Sequence, residues 1–248
     1  MNTAPPRSSA AIPAMILAAG RGSRMRPLTD TCPKPLLDVH GLPLMQWPMQ
    51  SLYDSGFKQL VINTAWLGEQ IEERFSGWTA SHPGAQLNFS HEGLDFGAAL
   101  ETAGGISRAL PLLGDVFWVL AGDVYAPEFA FDPAEVARFI ASDHLAHLWL
   151  VPNPAHNPGG DFGLGPDGLL INDAAARLTF STIGLYRRAL FRQPWSEIPV
   201  GNPGGMAAPL APLLRSAIAG RRVSASLYGG AWTDVGTPAR LAELNATD

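Results

Sequence analysis

Between Leu17 and Leu37 the chain reads LAAGRGSRMRPLTDTCPKPLL. Small residues lead into Gly20-Arg21-Gly22, and Ser23, Arg24, Arg26 and Lys34 follow, opposed only by Asp30. Glycines in such a loop let backbone N–H groups approach phosphate oxygens closely. Arg24 adds a forked donor for the same oxygens. Lys34 stands between Pro33 and Pro35, and of the 17 basic residues only Lys34 and Lys58 are lysines. The flanking prolines restrict where its side chain points. A compact ammonium held in this way suits charge neutralisation at a reacting phosphate. Each feature also has a plainer reading: Gly-x-Gly after a strand serves as a simple turn, and Lys34 fits an exposed, polyproline-like loop. Spacing excludes two familiar nucleotide motifs. A dinucleotide fingerprint requires Gly or Ala where Met25 stands, and a Walker A loop requires a Gly-Lys-Ser/Thr tripeptide that the chain lacks.

The elements that must position these residues alternate along the chain. AMILAA (14–19) reads as a buried strand stopped by glycine. A helix is expected over 43–56, broken or kinked at Pro48, then a strand over 58–65 and a helix over 68–77. Strands follow at 86–92, 116–123 and 146–153, with helices at 100–113 and 133–142. Short alternation of strand and helix implies an α/β fold, with a mostly parallel sheet and helices on both faces. Ligands in such sheets sit outside the carboxyl ends of the strands. The glycine loop and Asp123 both fall at such ends and therefore on one edge.

After residue 154 the pattern becomes irregular. Residues 156–170 are dense in Gly, Pro and Asp. A strand and helical turn are expected over 178–191, a helix within 207–220, two strands around Gly229-Gly230, and a helix over 237–246 capped by Thr237 with Pro238 in its first turn. His147 and Trp149 alternate on a strand and read as packing, while Arg187-Arg188 reads as a solvated helix face. Neither an internal repeat nor a linker of domain-boundary length is visible. The reading is a disordered N-terminal lead (1–12) and one domain (13–248), its first part about 13–125 and an irregular α/β second part about 126–248 covering the ligand.

Composition sets limits on function. The 248 residues carry a net charge of −5 and are 46% apolar, enough for a sizeable core. An acidic chain is a poor binder of nucleic acid backbones, which makes the basic cluster at 21–34 a local exception. One cysteine, Cys32, excludes an intrachain disulfide and fits a reducing, cytoplasmic setting. No stretch reaches membrane-helix length, and the six histidines show no Ser/His/Asp pattern.

LAAGRGSRMRPLTDTCPKPL resembles the signature of the sugar-1-phosphate nucleotidyltransferases, Leu-Ala-Gly-Gly/Ala-x-Gly-x-Arg-Leu/Met-x-Pro-Leu-Thr followed by Pro-Lys-Pro. NTAWLGEQIEE (63–73), LETAGG (100–105), GDFGL (160–164), APLLRSAIAG (211–220) and WTDVGT (232–237) narrow the resemblance to the short N-acetylmuramate-1-phosphate uridylyltransferases of peptidoglycan recycling. The chain departs from that pattern where Ala103 replaces a glycine and Ala121 replaces an asparagine. The resemblance implies a Rossmann-like fold with an α/β sugar-binding half and a magnesium-dependent reaction. In that reaction UTP and a sugar 1-phosphate give a UDP-sugar and pyrophosphate. It assigns Lys34 and Arg24 to catalysis, and Ala19, Gly20, Arg21, Gly22, Ser23, Glu101 and Thr102 to the nucleotide. Asp161 goes to the sugar, and Asp123 with Asp234 to the metal. The partners implied are a nucleoside triphosphate and a sugar 1-phosphate, with no nucleic acid and no membrane. The alternatives are a hexose-1-phosphate guanylyl- or thymidylyltransferase and a catalytically silent nucleotide-sugar sensor.

The chemistry this implies needs no general base. A sugar phosphate carries about −1.5 to −2 charge at neutral pH and is already a nucleophile. Two anions must be brought together and the departing pyrophosphate stabilised, which calls for Mg²⁺, backbone donors and cations. An N-acetylmuramate substrate also brings a lactyl carboxylate, so the C-terminal half is expected to offer it a basic side chain or an amide concavity. Arg177 and the HNPGGDF segment (156–162) are the sequence candidates.

Overall fold

The computed structural model describes residues 12–246. The lead expected over residues 1–12 lies, apart from Ile12, outside the described residues; Ile12 itself is buried. Seven strands form the central sheet: β1 (Ala14–Leu17), β2 (Gln59–Thr64), β3 (Gln86–His91), β4 (Val116–Ala121), β5 (Ala146–Val151), β6 (Thr179–Arg187) and β7 (Val223–Leu227). Their order is β7-β5-β6-β4-β1-β2-β3. All pairings are parallel except the two made by β6. The sheet is therefore continuous across both parts of the chain, with β6 as the return strand that stitches β5 to β4.

β4, VFWVLA, is apolar at every position because both faces of a parallel sheet are covered. One face packs on α5 (Glu101–Ala109) and α7 (Leu210–Ala219), with Ile106, Leu214 and Ile218 buried against Phe117 and Leu148. The other packs on α1 (Gln46–Asp54), α2 (Gly68–Phe75) and α6 (Pro133–Ala141), around Met49, Ile71, Phe139 and Trp118. The expected break at Pro48 does not occur. Pro48 falls in the first turn of α1, where a backbone N–H has no intrahelical partner to lose. Two short helices, α3 (Trp78–Ser81) and α4 (Glu92–Phe96), have no legible signal in the sequence.

Arg187 and Arg188 are not on a solvated face. Arg187 ends β6 and donates to the carbonyls of Phe139, Ser142 and His144; Arg188 donates to those of Leu110 and Leu113. Both tie helix ends to the sheet. His147 and Trp149 do pack as expected, Trp149 buried and His147 held between the hydroxyls of Ser224 and Ser226.

Candidate active site

Parallel register brings the ends of β1, β4 and β2 together: Leu17 pairs with Ala121 on one side and with Asn63 on the other. A cavity of about 830 Å³ opens at this edge. Ala19, Gly20, Gly22, Ser23, Arg24, Lys34, Glu101, Thr102, Asp123 and Asp161 all line it. Most residues expected at the site thus meet in one place.

Lys34 is not in an exposed loop. It begins a short 3₁₀ turn (Lys34–Leu36) and is only 8% exposed. Its ammonium reaches across the cavity floor to Asp123 Oδ2. Gly22 makes this possible: its φ is +64°, and a Cβ there would sit 3.2 Å from Lys34 Cβ and 3.1 Å from Thr29 Cγ2. The glycine is needed both for its conformation and for the close passage of the lysine stem.

Asp234 comes beside Asp123 through a small antiparallel ladder, Val124–Tyr125 with Thr233–Asp234, and the Val235 N–H donates to the Asp123 carbonyl at 3.0 Å. Its side chain faces a smaller neighbouring cavity of about 280 Å³. There Oδ1 of Asp234 is held by Arg240 and, at 2.9 Å, by His156. Sequence reasoning misses both partners, because Arg240 lies on the terminal helix α8 (Pro238–Ala246) and His156 in the irregular segment.

Arg21 departs from its expected role in one respect. Its guanidinium is occupied by Asp30 and the Thr29 carbonyl and lies 3.7 Å from the Trp66 ring centroid. Only its backbone remains to serve the glycine loop. Arg26, then Arg21, hold the Asp30 carboxyl below the usual carboxylate range. Arg24, by contrast, lines the cavity and has no carboxylate partner among the described residues.

Opposite the loop, Glu101 opens α5 with φ at +56°. Ala103 is fully buried where the resembled pattern has glycine, while Gly104 and Gly105 are the positions without room for a Cβ. The substitution at 103 is thereby accommodated. Asn63 and Glu92 also line the cavity wall, both buried, and were not among the expected site residues. Their position at strand ends is the signal that points to them.

On the far side, Asp161 Oδ2 accepts from the Phe180 N–H at 2.8 Å and from Asn157 at 3.3 Å. Thr182 lies in the irregular stretch of β6, with φ at +67° and its buried hydroxyl without a partner among the described residues. A β-branched residue there is strained. Arg177 does not reach the cavity lining; in the C-terminal half the basic side chain that does is Arg215, on α7, 5.2 Å from the Phe162 ring centroid.

The nucleotidyl transferase family profile matches residues 13–164. The chain is 48% identical over 238 residues to the N-acetylmuramate alpha-1-phosphate uridylyltransferase of Neisseria meningitidis serogroup B, covering 94% of this chain and 96% of that one. It is 31% identical over 251 residues to the protein of the same name from Caulobacter vibrioides, covering 93% and 97%. A Bacillus anthracis structure assigned as a glucose-1-phosphate thymidylyltransferase superposes with a TM-score of 0.78 at 20% identity, covering 95% of this chain and 94% of that one, and so shares the fold. With the glycine loop, Lys34 and the strand-end cavity all inside the matched span or facing it, the chain belongs to the nucleotidyl transferase family.

Proposed function

We propose that the protein transfers a uridylyl group from UTP to N-acetylmuramate 1-phosphate, giving a UDP-sugar and pyrophosphate, in the cytoplasm. The observation that carries the reaction class is the Lys34–Asp123 pair beneath the glycine loop, its lysine buried and its aspartate open to a cavity large enough for two substrates. Full-length similarity to uridylyltransferases carries the choice of substrates.

The backbone of Gly20–Gly22 faces the triphosphate, and Arg24 supplies a forked donor to it. Lys34 neutralises charge at the phosphorus under attack. The attacking oxygen belongs to the sugar phosphate and needs no proton removed. Asp161, already fixed by the Phe180 N–H, presents its carboxylate to sugar hydroxyls. Arg215, free of carboxylate partners among the described residues, answers the lactyl charge.

The residues fit a magnesium ion. Mg²⁺ is usually bound by one or two carboxylates and completed by phosphate oxygens and water. Asp123 lines the main cavity and is engaged through one oxygen, leaving the other for a cation, while Asp234, adjacent to it through the backbone ladder, would have to turn its second oxygen from the smaller cavity to share that ion. Among the described residues no group of three or more metal-ligating side chains is pre-assembled, so substrate phosphates would complete the shell. The ion would withdraw charge from the phosphates as pyrophosphate forms.

A matrix of nucleoside triphosphates against sugar 1-phosphates, read by pyrophosphate release, tests this reading. The expected maximum is UTP with N-acetylmuramate 1-phosphate, at least about tenfold above N-acetylglucosamine 1-phosphate. A maximum with mannose or glucose 1-phosphate moves the protein to a hexose-1-phosphate transferase, and no release with any pair makes it a nucleotide-sugar sensor.

A further inference from the structure

Behind the glycine loop lies a buried chain of hydrogen bonds that converges from both ends on one carboxylate. The Ala18 N–H donates to Asn63 Oδ1 at 2.8 Å. Asn63 Nδ2 donates to Glu92 Oε1 at 2.7 Å. The Leu100 N–H donates to the other oxygen, Oε2, also at 2.7 Å. Glu92 is 0% exposed and Asn63 3%. Gly105 of α5 leaves the space: a Cβ there would stand 2.4 Å from Glu92 Oε1.

The two ends of this chain matter. Ala18 immediately precedes Ala19-Gly20, the start of the glycine loop, and Leu100 immediately precedes Glu101 and Thr102 at the mouth of α5. Sequence separates these segments by some eighty residues, and they face each other across the cavity. Glu92 is thus placed to fix the distance and angle between the two walls that would hold the nucleotide.

We propose that Glu92, acting through Asn63, is a positioning residue: an ionised, buried carboxylate whose acceptor-only character locks the glycine loop to the first turn of α5. This rests on the reading of that cavity as the nucleotide site. The polarity argument is strict. Both outer groups, Ala18 N–H and Leu100 N–H, can only donate. Asn63 must present its oxygen to Ala18, so it shows its NH₂ to Glu92. Glu92 must therefore accept at both oxygens, which a carboxylate does and an amide or a neutral acid does not. Burial pushes the Glu92 carboxyl up, while the bonds from Leu100 and Asn63 and the nearby Arg108 charge oppose that shift.

Exchange of the two side-chain types tests it. Glu92→Gln alone opposes two donors somewhere along the chain, whichever way either amide is turned. Asn63→Asp alone sets two carboxylates against each other. Together, Asn63→Asp and Glu92→Gln restore every bond: the carboxylate introduced at position 63 accepts from Ala18 and from the glutamine amide, and the glutamine oxygen accepts from Leu100. Neither change alters size. UTP and sugar-phosphate KM values are measured for the four proteins beside their melting temperatures. Each single variant is expected to raise the UTP KM at least about tenfold, the scale of one opposed buried pair, with the sugar-phosphate KM moved less than about threefold. The double variant is expected to recover to within about threefold of the parent. Recovery of a double variant whose single parents fail to fold supports the proposal equally. A double variant as impaired as the worse single one, or unfolded, overturns it, as does a single variant with an unchanged UTP KM or equal rises in both KM values. A parent protein that turns over without preference for UTP refutes the base assignment instead, and the same comparison then runs on the triphosphate it prefers.

Discussion

Lys34 offers a separation of charge from packing. Lys34→Ala removes three methylenes of a stem that is almost wholly enclosed, the residue being 8% exposed. At about 0.8 kcal/mol per buried methylene, that is a loss of up to roughly 2.4 kcal/mol. The ion pair adds little to this. Asp123 is 36% exposed at its side chain and rehydrates once the ammonium is gone, so its share stays below about 1 kcal/mol. Release of the lysine from its own desolvation offsets part of the total. The alanine variant is therefore expected to lose about 1–3 kcal/mol, a fall in melting temperature of roughly 3–9 °C for a chain of this size. Lys34→Met keeps the stem and removes only the charge, so its stability should stay within about 1 kcal/mol of the parent.

Turnover should not follow stability. If the ammonium neutralises charge at the reacting phosphate, both variants lose on the order of 10²–10³-fold in kcat, as when one charge-stabilising donor is removed. Lys34→Arg rescues poorly, because a planar, forked guanidinium does not replace the compact point charge of the ammonium. The assay is pyrophosphate release at saturating substrates, paired with thermal melts followed by circular dichroism. A methionine variant that keeps more than about a fifth of parental turnover would refute the role given to the charge. Activity that tracks melting temperature across all three variants would reduce Lys34 to a packing residue.

Three further outcomes are expected. Asp123→Asn and Asp234→Asn should abolish magnesium-dependent turnover, while Asp161→Asn mainly raises the sugar-phosphate KM, since a sugar contact contributes uniform binding; an Asp161 variant that instead loses kcat would reverse the assignment. Arg215→Ala should lower the preference for N-acetylmuramate 1-phosphate over N-acetylglucosamine 1-phosphate about five- to tenfold, a modest factor because Arg215 is exposed and screened; an unchanged ratio in competition assays removes Arg215 from the sugar site. Burial pushes the His147 imidazole down to about 4, so between about pH 6.5 and 4 the unfolded chain binds more protons and stability falls as pH falls, by at most about 3 kcal/mol from this group; denaturant titrations of His147→Gln should show that part of the acid sensitivity gone, and parallel curves for variant and parent would contradict the assignment.

The fold is readable wherever periodicity is strong. β4 is a continuous apolar run and β5 one interrupted only by His147, and α6 carries Asp132 and Pro133 at its start, the Asp132 side chain accepting from the Ala134 N–H. α3 and α4 escape notice because four or five residues do not complete enough turns to show a period. Arg187 and Arg188 mislead for a different reason. A charged pair reads as solvated, yet the donors on each guanidinium find carbonyls at helix ends that no sequence pattern reveals. At the site, the glycine loop, Lys34 and Asp123 are legible because contiguous motifs at strand ends report location directly. Glu92 and Arg215 are not, since each acts through a neighbour distant in sequence, Asn63 and Phe162, and Arg240 is not because nothing in the pattern shows that its side chain turns back from α8 to Asp234, six residues before it.

The distribution of cations separates binding from scaffolding. Half of the local cluster that first marks the chain is satisfied from within. Arg21 and Arg26 share Asp30, Lys34 faces Asp123, and Arg240 faces Asp234. A guanidinium held by a carboxylate on an exposed surface binds an incoming phosphate only by exchange, and gains little from it. Arg24 and Arg215 are the cavity-lining arginines without a carboxylate partner among the described residues, and they belong to different walls, one after β1 and the other on α7. Two unpaired guanidinium groups on separate walls match two anionic substrates better than one. Lys34 lies between the pattern's two kinds: its partner is a carboxylate that a metal ion would engage. Asp123 would hold a cation through its other oxygen, which places the Lys34 ammonium beside that charge. Substrate charge, metal charge and Lys34 would then meet at fixed positions in one cavity, and such preorganised charge is what stabilises a transition state electrostatically.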